Sequence, residues 1–161
     1  MERCGQTGRR AFLGAVASGL VLVLVLGGCG GSGGLSHSQL VAKADTYCHQ
    51  ATARVAALTA PSNLSSLSAY ADQTRAETVE LASRLKTLKA SSSDKQVLDN
   101  YIAALEKGNG LLSRIASAAA ANESTAVGTL GKELAAVPTA AIASEGGLSQ
   151  CAQSTVTATA G

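Results

Sequence analysis

Mostly apolar residues recur every three or four positions along nearly all of the chain after residue 38, in four successive series. This spacing places the residues of each series on one face of an α-helix. The series are Leu40, Ala44, Tyr47, Cys48, Ala51, Val55 and Leu58; Leu64, Leu67, Ala71, Thr74, Thr78, Leu81, Leu85 and Leu88; Leu98, Tyr101, Leu105, Gly108, Leu112, Ile115 and Ala119; and Val127, Leu130, Leu134, Val137 and Ala141. The sequence therefore predicts four amphipathic helices.

Residues that interrupt helices separate the four series. They are Pro61 with Ser62 and Asn63, residues 91–94, Asn122, and Gly146 with Gly147. Because the connections are short, successive helices should be neighbours that run in opposite directions. We predict an all-α domain over residues 38–151, an antiparallel up-down-up-down four-helix bundle whose C-terminal tail is stapled to the first helix. A long two-helix coiled coil is the alternative, and the breaks disfavour it.

Two pairs of residues fit capping boxes, Ser36 with Gln39 and Ser93 with Gln96. In this motif a hydroxyl and a side-chain carbonyl accept hydrogen bonds from backbone N–H groups that would otherwise lack partners. We therefore expect Ser36 and Ser93 to cap the first and third helices.

Two positions conflict with a regular helix. The segment Gly108-Asn109-Gly110 resembles a turn, and each glycine costs about 1 kcal/mol inside a helix. The apolar series nevertheless stays in phase from Leu105 to Leu112, which predicts a continuous but locally weak helix. Pro138 has no N–H to donate to the carbonyl of Leu134, so the last helix should kink or end early there.

Residues 1–28 have the three parts of an export signal: a basic start that includes Arg9 and Arg10, an apolar stretch over residues 11–26, and small residues. The apolar stretch is shorter than the roughly 20 residues that span a bilayer. It ends in Leu26-Gly27-Gly28-Cys29, which resembles the bacterial lipobox. The resemblance implies cleavage before Cys29 and transfer of a diacylglycerol to its thiol. Fatty acyl chains such as palmitate would then hold the protein on the extracytoplasmic face of the cell membrane.

The export route stays open, because Arg9-Arg10 followed by Ala11-Phe12-Leu13 resembles a twin-arginine signal and paired arginines also occur in ordinary secretory signals. The glycines and serines among residues 29–37 predict a flexible tether after the lipidated cysteine. We expect residues 152–161 to form a disordered tail.

The mature chain is close to neutral. Three of the 13 basic side chains and one of the 11 acidic ones lie in residues 1–28, which leaves ten of each sign. Nucleic-acid binding requires a concentrated excess of Lys and Arg, so we exclude a nucleic-acid partner. The mature aromatic residues are Tyr47, Tyr70 and Tyr101, with no Trp or Phe, so the core must be aliphatic.

Cys48 and Cys151 are the cysteines left to the folded domain, because Cys4 leaves with the signal and Cys29 is acylated. Outside the cytoplasm such thiols are oxidised. In an antiparallel bundle the end of the last helix returns to the first. The four steps from Gly147 to Cys151 span at most about 14 Å, which lets the tail reach back along that helix. We therefore predict a disulfide between Cys48 and Cys151.

Motifs for cofactors and metals do not occur: the sequence contains no Walker loop, Cys-x-x-Cys or Glu-x-x-His. We assign no catalytic residue, no metal and no cofactor. His37 and His49 are expected to face solvent. Glu77 and Glu80, beside Arg75 and Arg84, are expected to form a solvated helix face.

Several segments look like those of a group of small actinobacterial lipoproteins. These segments are Val41-Ala42-Lys43-Ala44-Asp45-Thr46-Tyr47-Cys48, the Pro61 turn, Ala121-Asn122, and Gly147-Leu148-Ser149-Gln150-Cys151. The resemblance covers nearly the whole mature chain. It implies an all-helical, disulfide-closed domain, and no known activity comes with it.

From these features we expect a lipid-anchored, non-enzymatic module of the cell envelope that binds a partner protein or a small apolar ligand. One alternative is an envelope enzyme whose site combines Thr74, Thr78 and Tyr101. Another is a haem-like ligand held near Tyr47 and His49. A threonine hydroxyl in a helix can donate to the carbonyl one turn back, which favours a structural role for the two threonines.

Overall fold

The computed structural model describes residues 34–153, and every regular element in this range is a helix. The helices are α1 (His37–Ala56), α2 (Leu64–Lys86), α3 (Ser92–Ala120), α4 (Ser124–Ala135), α5 (Thr139–Glu145) and α6 (Ser149–Gln153). The prediction of an all-α domain is therefore confirmed. The predicted signal peptide with Arg9 and Arg10, the lipobox Leu26 to Cys29, the tether up to Gly33 and the tail after Gln153 lie outside the described residues.

Both predictions about helix continuity are confirmed. Helix α3 runs without a break through Gly108, Asn109 and Gly110. The predicted fourth helix is divided, because α4 ends at Ala135 and Pro138 precedes the first turn of α5. Proline is well tolerated before a helix, where no N–H is needed, but not within one.

The predicted cap of α1 is confirmed and that of α3 is wrong. The Gln39 N–H donates to Ser36 Oγ at 3.3 Å, and the Ser36 N–H donates to Gln39 Oε1 at 3.0 Å. Helix α3 instead has Ser91 as its N-cap residue, and its carbonyl accepts from the Lys95 N–H at 2.9 Å. The Ser91 hydroxyl donates to Asp94 Oδ2 at 2.7 Å, and the Asp94 carboxylate lies in the first turn of the helix, where the helix dipole favours negative charge.

Helices α3 and α4 are joined by a tight turn at Asn122, which has a positive φ of 59°. The Asn122 N–H donates to the Ala119 carbonyl at 3.1 Å and the Glu123 N–H to the Ala118 carbonyl at 2.9 Å. This is the Schellman arrangement, in which asparagine tolerates the left-handed conformation that reverses the chain.

The segment before α1 contacts the connection between α2 and α3. The Leu35 N–H donates to the Lys89 carbonyl at 2.6 Å, and Leu35 forms an isolated parallel bridge with Ala90. A Cβ added at Gly34 would lie 3.0 Å from the Ala90 carbonyl oxygen. The last residues of the predicted tether, from Gly34 onward, therefore lie against the folded domain.

Two apolar clusters form the core. The cystine cluster joins α1, the end of α2, the start of α3, and α5 with α6; its buried members are Leu40, Ala44, Cys48, Ala51, Leu81, Ala82, Leu85, Leu98, Tyr101, Ile102, Leu105, Ala143, Leu148 and Cys151. The α4 cluster contains Ala71, Ala104, Leu111, Leu112, Ile115, Ala116, Ala118, Leu130 and Val137. Helix α3 packs against α2, α4 and α5, whereas α1 packs against α2 and α6.

None of the helices between residues 34 and 153 combines the length and apolarity needed to cross a bilayer.

Candidate functional site

The two cysteines of the domain lie together in its interior. Cys48 is on α1 and Cys151 on α6, and their Sγ atoms are 2.00 Å apart across a separation of 103 positions. The Cα atoms are 5.0 Å apart, and the residues are 0% and 1% exposed. The pair is thus at disulfide distance and closed off from solvent.

A glycine in the left-handed backbone conformation lies in the turn between α5 and α6. Gly147 has a φ of +69°, and its N–H donates to the Ser144 carbonyl at 3.1 Å. The Leu148 N–H donates to the Ala143 carbonyl at 2.9 Å, which completes a Schellman turn. Ala143 and Leu148 are both buried in the cystine cluster, so this turn delivers Cys151 to α1.

Asp45 on α1 holds the first turn of α6. Its Oδ2 accepts from the Ser149 hydroxyl at 2.9 Å, and its Oδ1 accepts from the Gln150 N–H at 2.9 Å. Our sequence reasoning missed this contact. Asp45 lies three residues before Cys48, and residues three apart share a helix face. This spacing could have indicated that Asp45 faces the segment around Cys151.

The hydroxyl of Tyr101 lies 3.7 Å from Cys48 Sγ. Tyr101 is 1% exposed, and this burial strongly raises the pKa of its phenol, with the charge of Asp45 adding to the effect. The phenol therefore stays protonated and acts as a packing group beside the cysteine pair.

The three residues of the alternative enzyme site are all buried in the interior of the fold. Thr78 Oγ1 donates to the Thr74 carbonyl at 2.9 Å, one turn back on α2. Thr74 is fully buried and its Oγ1 has no partner among residues 34–153. Within this part of the chain, none of the hydroxyls of Thr74, Thr78 and Tyr101 is hydrogen-bonded to a carboxylate or an imidazole.

The two histidines lie apart. His37 has a side chain that is 62% exposed, and its Nδ1 lies 2.9 Å from Asp94 Oδ1. Hydrogen bonds from Ser91 and His37 lower the pKa of the Asp94 carboxyl. His49 is exposed on α1. In the described range, no three side chains of His, Cys, Asp or Glu are grouped so that they could hold a metal ion.

The acidic residues of α2 fasten two helices. Arg54 Nε of α1 pairs with Glu77, and Arg54 Nη2 lies 3.2 Å from Glu80 Oε1. The hydrogen bond to Glu77 raises the pKa of the Arg54 guanidinium. We expected Glu77 and Glu80, beside Arg75 and Arg84, to form a solvated face. The Glu80 side chain is 53% exposed, whereas that of Glu77 is 24% exposed and pairs with a cation of the first helix that a reading along α2 cannot show.

Arg84 joins the same two helices one turn further along α2. Its Nη1 donates to Gln50 Oε1 at 2.7 Å. Its guanidinium carbon lies 4.1 Å from the centroid of the Tyr47 ring, a cation–π contact. Tyr47 is therefore engaged with α2, and His49 lies on the exposed side of α1.

An open groove of about 500 Å³ lies between the second half of α3 and the start of α4. Its lining includes Ser113, Arg114 and Ser117 on α3, Glu123 in the turn, and Ala126 and Leu130 on α4. Arg114 Nη1 lies 3.4 Å from Glu133 Oε2. The sequence signal that we missed is the series of small residues Ser113, Ser117 and Ala121, spaced four apart along the second half of α3 and its C-cap.

No protein-family model, curated protein or solved structure matched this chain.

Proposed function

We propose that the protein is an extracytoplasmic lipoprotein, cut before Cys29 and anchored through a diacylglycerol on that cysteine. We further propose that its helical domain is a non-enzymatic binding module of the cell envelope. The lipobox Leu26-Gly27-Gly28-Cys29, preceded by Arg9-Arg10 and an apolar stretch, supports the anchor. The resemblance to small actinobacterial lipoproteins agrees with this proposal.

The proposal rests mainly on the position at which the chain enters the folded domain after Cys29. Leu35 is bound to the Lys89 carbonyl, six residues after Cys29. Six residues span at most about 20 Å. The anchor would therefore keep one end of the domain close to the membrane. We call it the entry end: residues 34–37, the α2–α3 connection at 87–91, and Gly147, whose added Cβ would lie 3.8 Å from His37 Nε2.

The groove between α3 and α4 would then face away from the membrane. Helix α3 begins at the entry end and is 29 residues long, or about 43 Å. Its far end carries the Asn122 turn and the groove residues Ser117 and Glu123. A partner protein of the envelope could reach this surface without meeting the bilayer.

We infer that α1 to α4 run in alternating directions, as an up-down-up-down scaffold. The contacts between α1 and α2 support this order. Gln50 meets Arg84, whereas Arg54, one turn later on α1, meets Glu80, one turn earlier on α2. Such a scaffold would hold the two ends of the molecule at a constant separation.

The anchor is tested with Cys29→Ala, with Cys4→Ala as the matched control inside the signal. We expect Cys29→Ala to lose incorporation of labelled palmitate and to remain an uncut precursor. Cys4→Ala should be acylated, reach the mature mass and fractionate with membranes. If Cys29→Ala is still recovered from membranes at the mature mass, the tether is not at this cysteine.

The binding role is tested with a photo-crosslinking residue at Ser117 in the groove. The same residue at Ser83, exposed on α2, is the control. We expect one discrete protein adduct from Ser117 in intact cells, reduced when Arg114→Glu changes the charge of the groove, and none from Ser83. Equal adducts from both positions would contradict a partner site at the groove.

A further inference from the structure

The two core clusters are nearly separate along both central helices. On α2, Ala71 belongs to the α4 cluster, whereas the cystine cluster begins at Leu81. On α3, the cystine cluster ends at Leu105, and the α4 cluster includes Ala104 beside it and then continues from Leu111. Ile142 packs against both clusters. Residues 72–80 on α2 and residues 106–110 on α3 contain no buried member of either cluster.

On α3 this interval contains Gly108-Asn109-Gly110. A Cβ added at Gly110 would meet nothing within 4 Å, and one at Gly108 would meet the Leu134 side chain at 3.6 Å. Neither glycine is required by a close contact, yet each weakens the helix. The Oδ1 atom of Asn109 is buried without a hydrogen-bond partner in the described range. Helix α3 is thus weakest where it passes from one cluster to the other.

On α2 the same interval contains two buried polar residues, Thr74 and Thr78. The Thr78 hydroxyl donates to a backbone carbonyl of its own helix, and the Thr74 hydroxyl has no partner among residues 34–153. A buried hydroxyl without a partner stabilises a packed core less than an aliphatic side chain of similar shape. Between the two clusters, α2 therefore contributes buried polar residues and α3 contributes glycines in place of large apolar side chains.

The part of the domain around the cystine cluster, here the cystine half, has more stabilising bonds than the part around the α4 cluster, here the α4 half. The cystine half has the Cys48–Cys151 pair and the bonds that Asp45 makes to α6. In the other half, α4 has one buried residue, Leu130, and no side-chain hydrogen bond at its N-cap. A Cβ added at Gly128 or Gly131 of α4 would meet nothing within 4 Å.

We propose that this domain opens in two steps. The α4 half, made of α4, residues 64–71 and residues 111–120, opens while the cystine half stays folded. The hinge is Gly108–Gly110 on α3, together with Thr74 and Thr78 on α2. Opening exposes the apolar face of α3 around Leu112 and Ile115. Local opening of this kind follows cooperative packing units, and the two clusters define those units.

The test is hydrogen exchange followed by mass spectrometry on the oxidised mature protein in detergent. Amides of α4 and of residues 111–120 should exchange at least about tenfold faster than those of α1 and residues 93–105. The variant Gly131→Ala should slow exchange of the α4 half by up to about fivefold, because alanine strengthens a helix position that has free space. Exchange of the cystine half should stay within experimental error of its original value.

Two results would overturn the proposal. One is exchange of both halves at a single rate, which indicates one cooperative unit. The other is a Gly131→Ala effect of equal size in α1 and in α4. A second variant, Gly128→Ala, repeats the test at an independent open position of the same helix.

Discussion

Asp45 makes hydrogen bonds that link α1 to α6, two helices far apart in the sequence. Its carboxylate accepts from the hydroxyl of Ser149 and from the N–H of Gln150, more than a hundred positions away. A backbone N–H in the first turn of a helix has no acceptor within that helix. The Asp45 carboxylate supplies such an acceptor for α6. The contact holds α6 in place independently of the cysteines.

We expect Asp45→Ala to lower the free energy of unfolding by about 1 to 2 kcal/mol, because the hydrogen bonds that its carboxylate accepts from Ser149 and Gln150 are lost. The control is Asp72→Ala, since Asp72 is exposed on α2 and lies 3.7 Å from Arg75. Urea unfolding of the oxidised protein measures both variants. Equal effects of the two substitutions would show that the bonds to α6 contribute nothing measurable.

Asp94 should give the domain a pH dependence on the acid side. Its pKa is lowered in the fold, first by the hydroxyl of Ser91 and then by His37. Stabilisation from such a group is fully present above the unfolded pKa of about 3.9 and is lost as the pH falls through the lower folded value. Ser91→Ala should therefore move the Asp94 pKa up towards its ordinary range, as measured by NMR titration of the carboxyl carbon. A pKa that does not move would contradict the role of Ser91.

At the scale of elements, α3 is long and continuous although it contains two glycines in its middle. Its apolar residues stay in phase across Gly108 and Gly110, and packing on both sides keeps the segment helical. Tertiary packing therefore outweighs a local propensity of about 1 kcal/mol per glycine. Gly147 in the α5–α6 turn differs from these two glycines, because its positive φ favours glycine over other residues.

We expect Gly110→Ala to stabilise the domain by up to about 1 kcal/mol, since alanine is the better helix former and the added Cβ has free space. Gly147→Ala is the matched control and should destabilise by about 1 kcal/mol or more, because its φ is +69°. Thermal unfolding followed by circular dichroism measures both. A loss of stability in Gly110→Ala would mean that the helix is distorted at that position.

At the scale of the whole molecule, the cysteine pair connects the beginning of the folded domain to its end. Cys48 and Cys151 enclose a loop of 103 positions. The chain-entropy model gives a loop of about 100 residues an upper figure of roughly 4.7 kcal/mol, which is comparable to the total stability of a small domain. A covalent bond at this place would therefore contribute a large share of the stability.

We expect non-reducing mass spectrometry of the mature protein to show two hydrogens fewer than the dithiol form. Reduction under denaturing conditions, followed by refolding without oxidant, should lower the melting temperature. The double variant Cys48→Ser with Cys151→Ser should reproduce that lower temperature and no longer respond to reductant. Free thiols at both positions in protein taken from the envelope would contradict the disulfide.

Local features of the fold were predictable from the sequence, because they depend on neighbours within about four positions. The period of the apolar residues predicted the all-α class, and the lack of an N–H at Pro138 predicted the end of α4. The Ser36–Gln39 cap was correct for the same reason. The Ser93 cap was wrong, because the competing Ser91–Asp94 bond lies in the same first turn and the pattern alone does not rank the two.

The contacts that define the candidate sites were decided by the tertiary structure alone. The bonds of Asp45 to α6 and of Arg54 to Glu77 depend on the rotation and register of helices that are distant in sequence. The groove beside Ser117 and the interval between the two clusters depend on which faces of α3 its neighbours cover. Periodicity shows that a helix has an apolar face, but packing against other helices decides how far that face is covered.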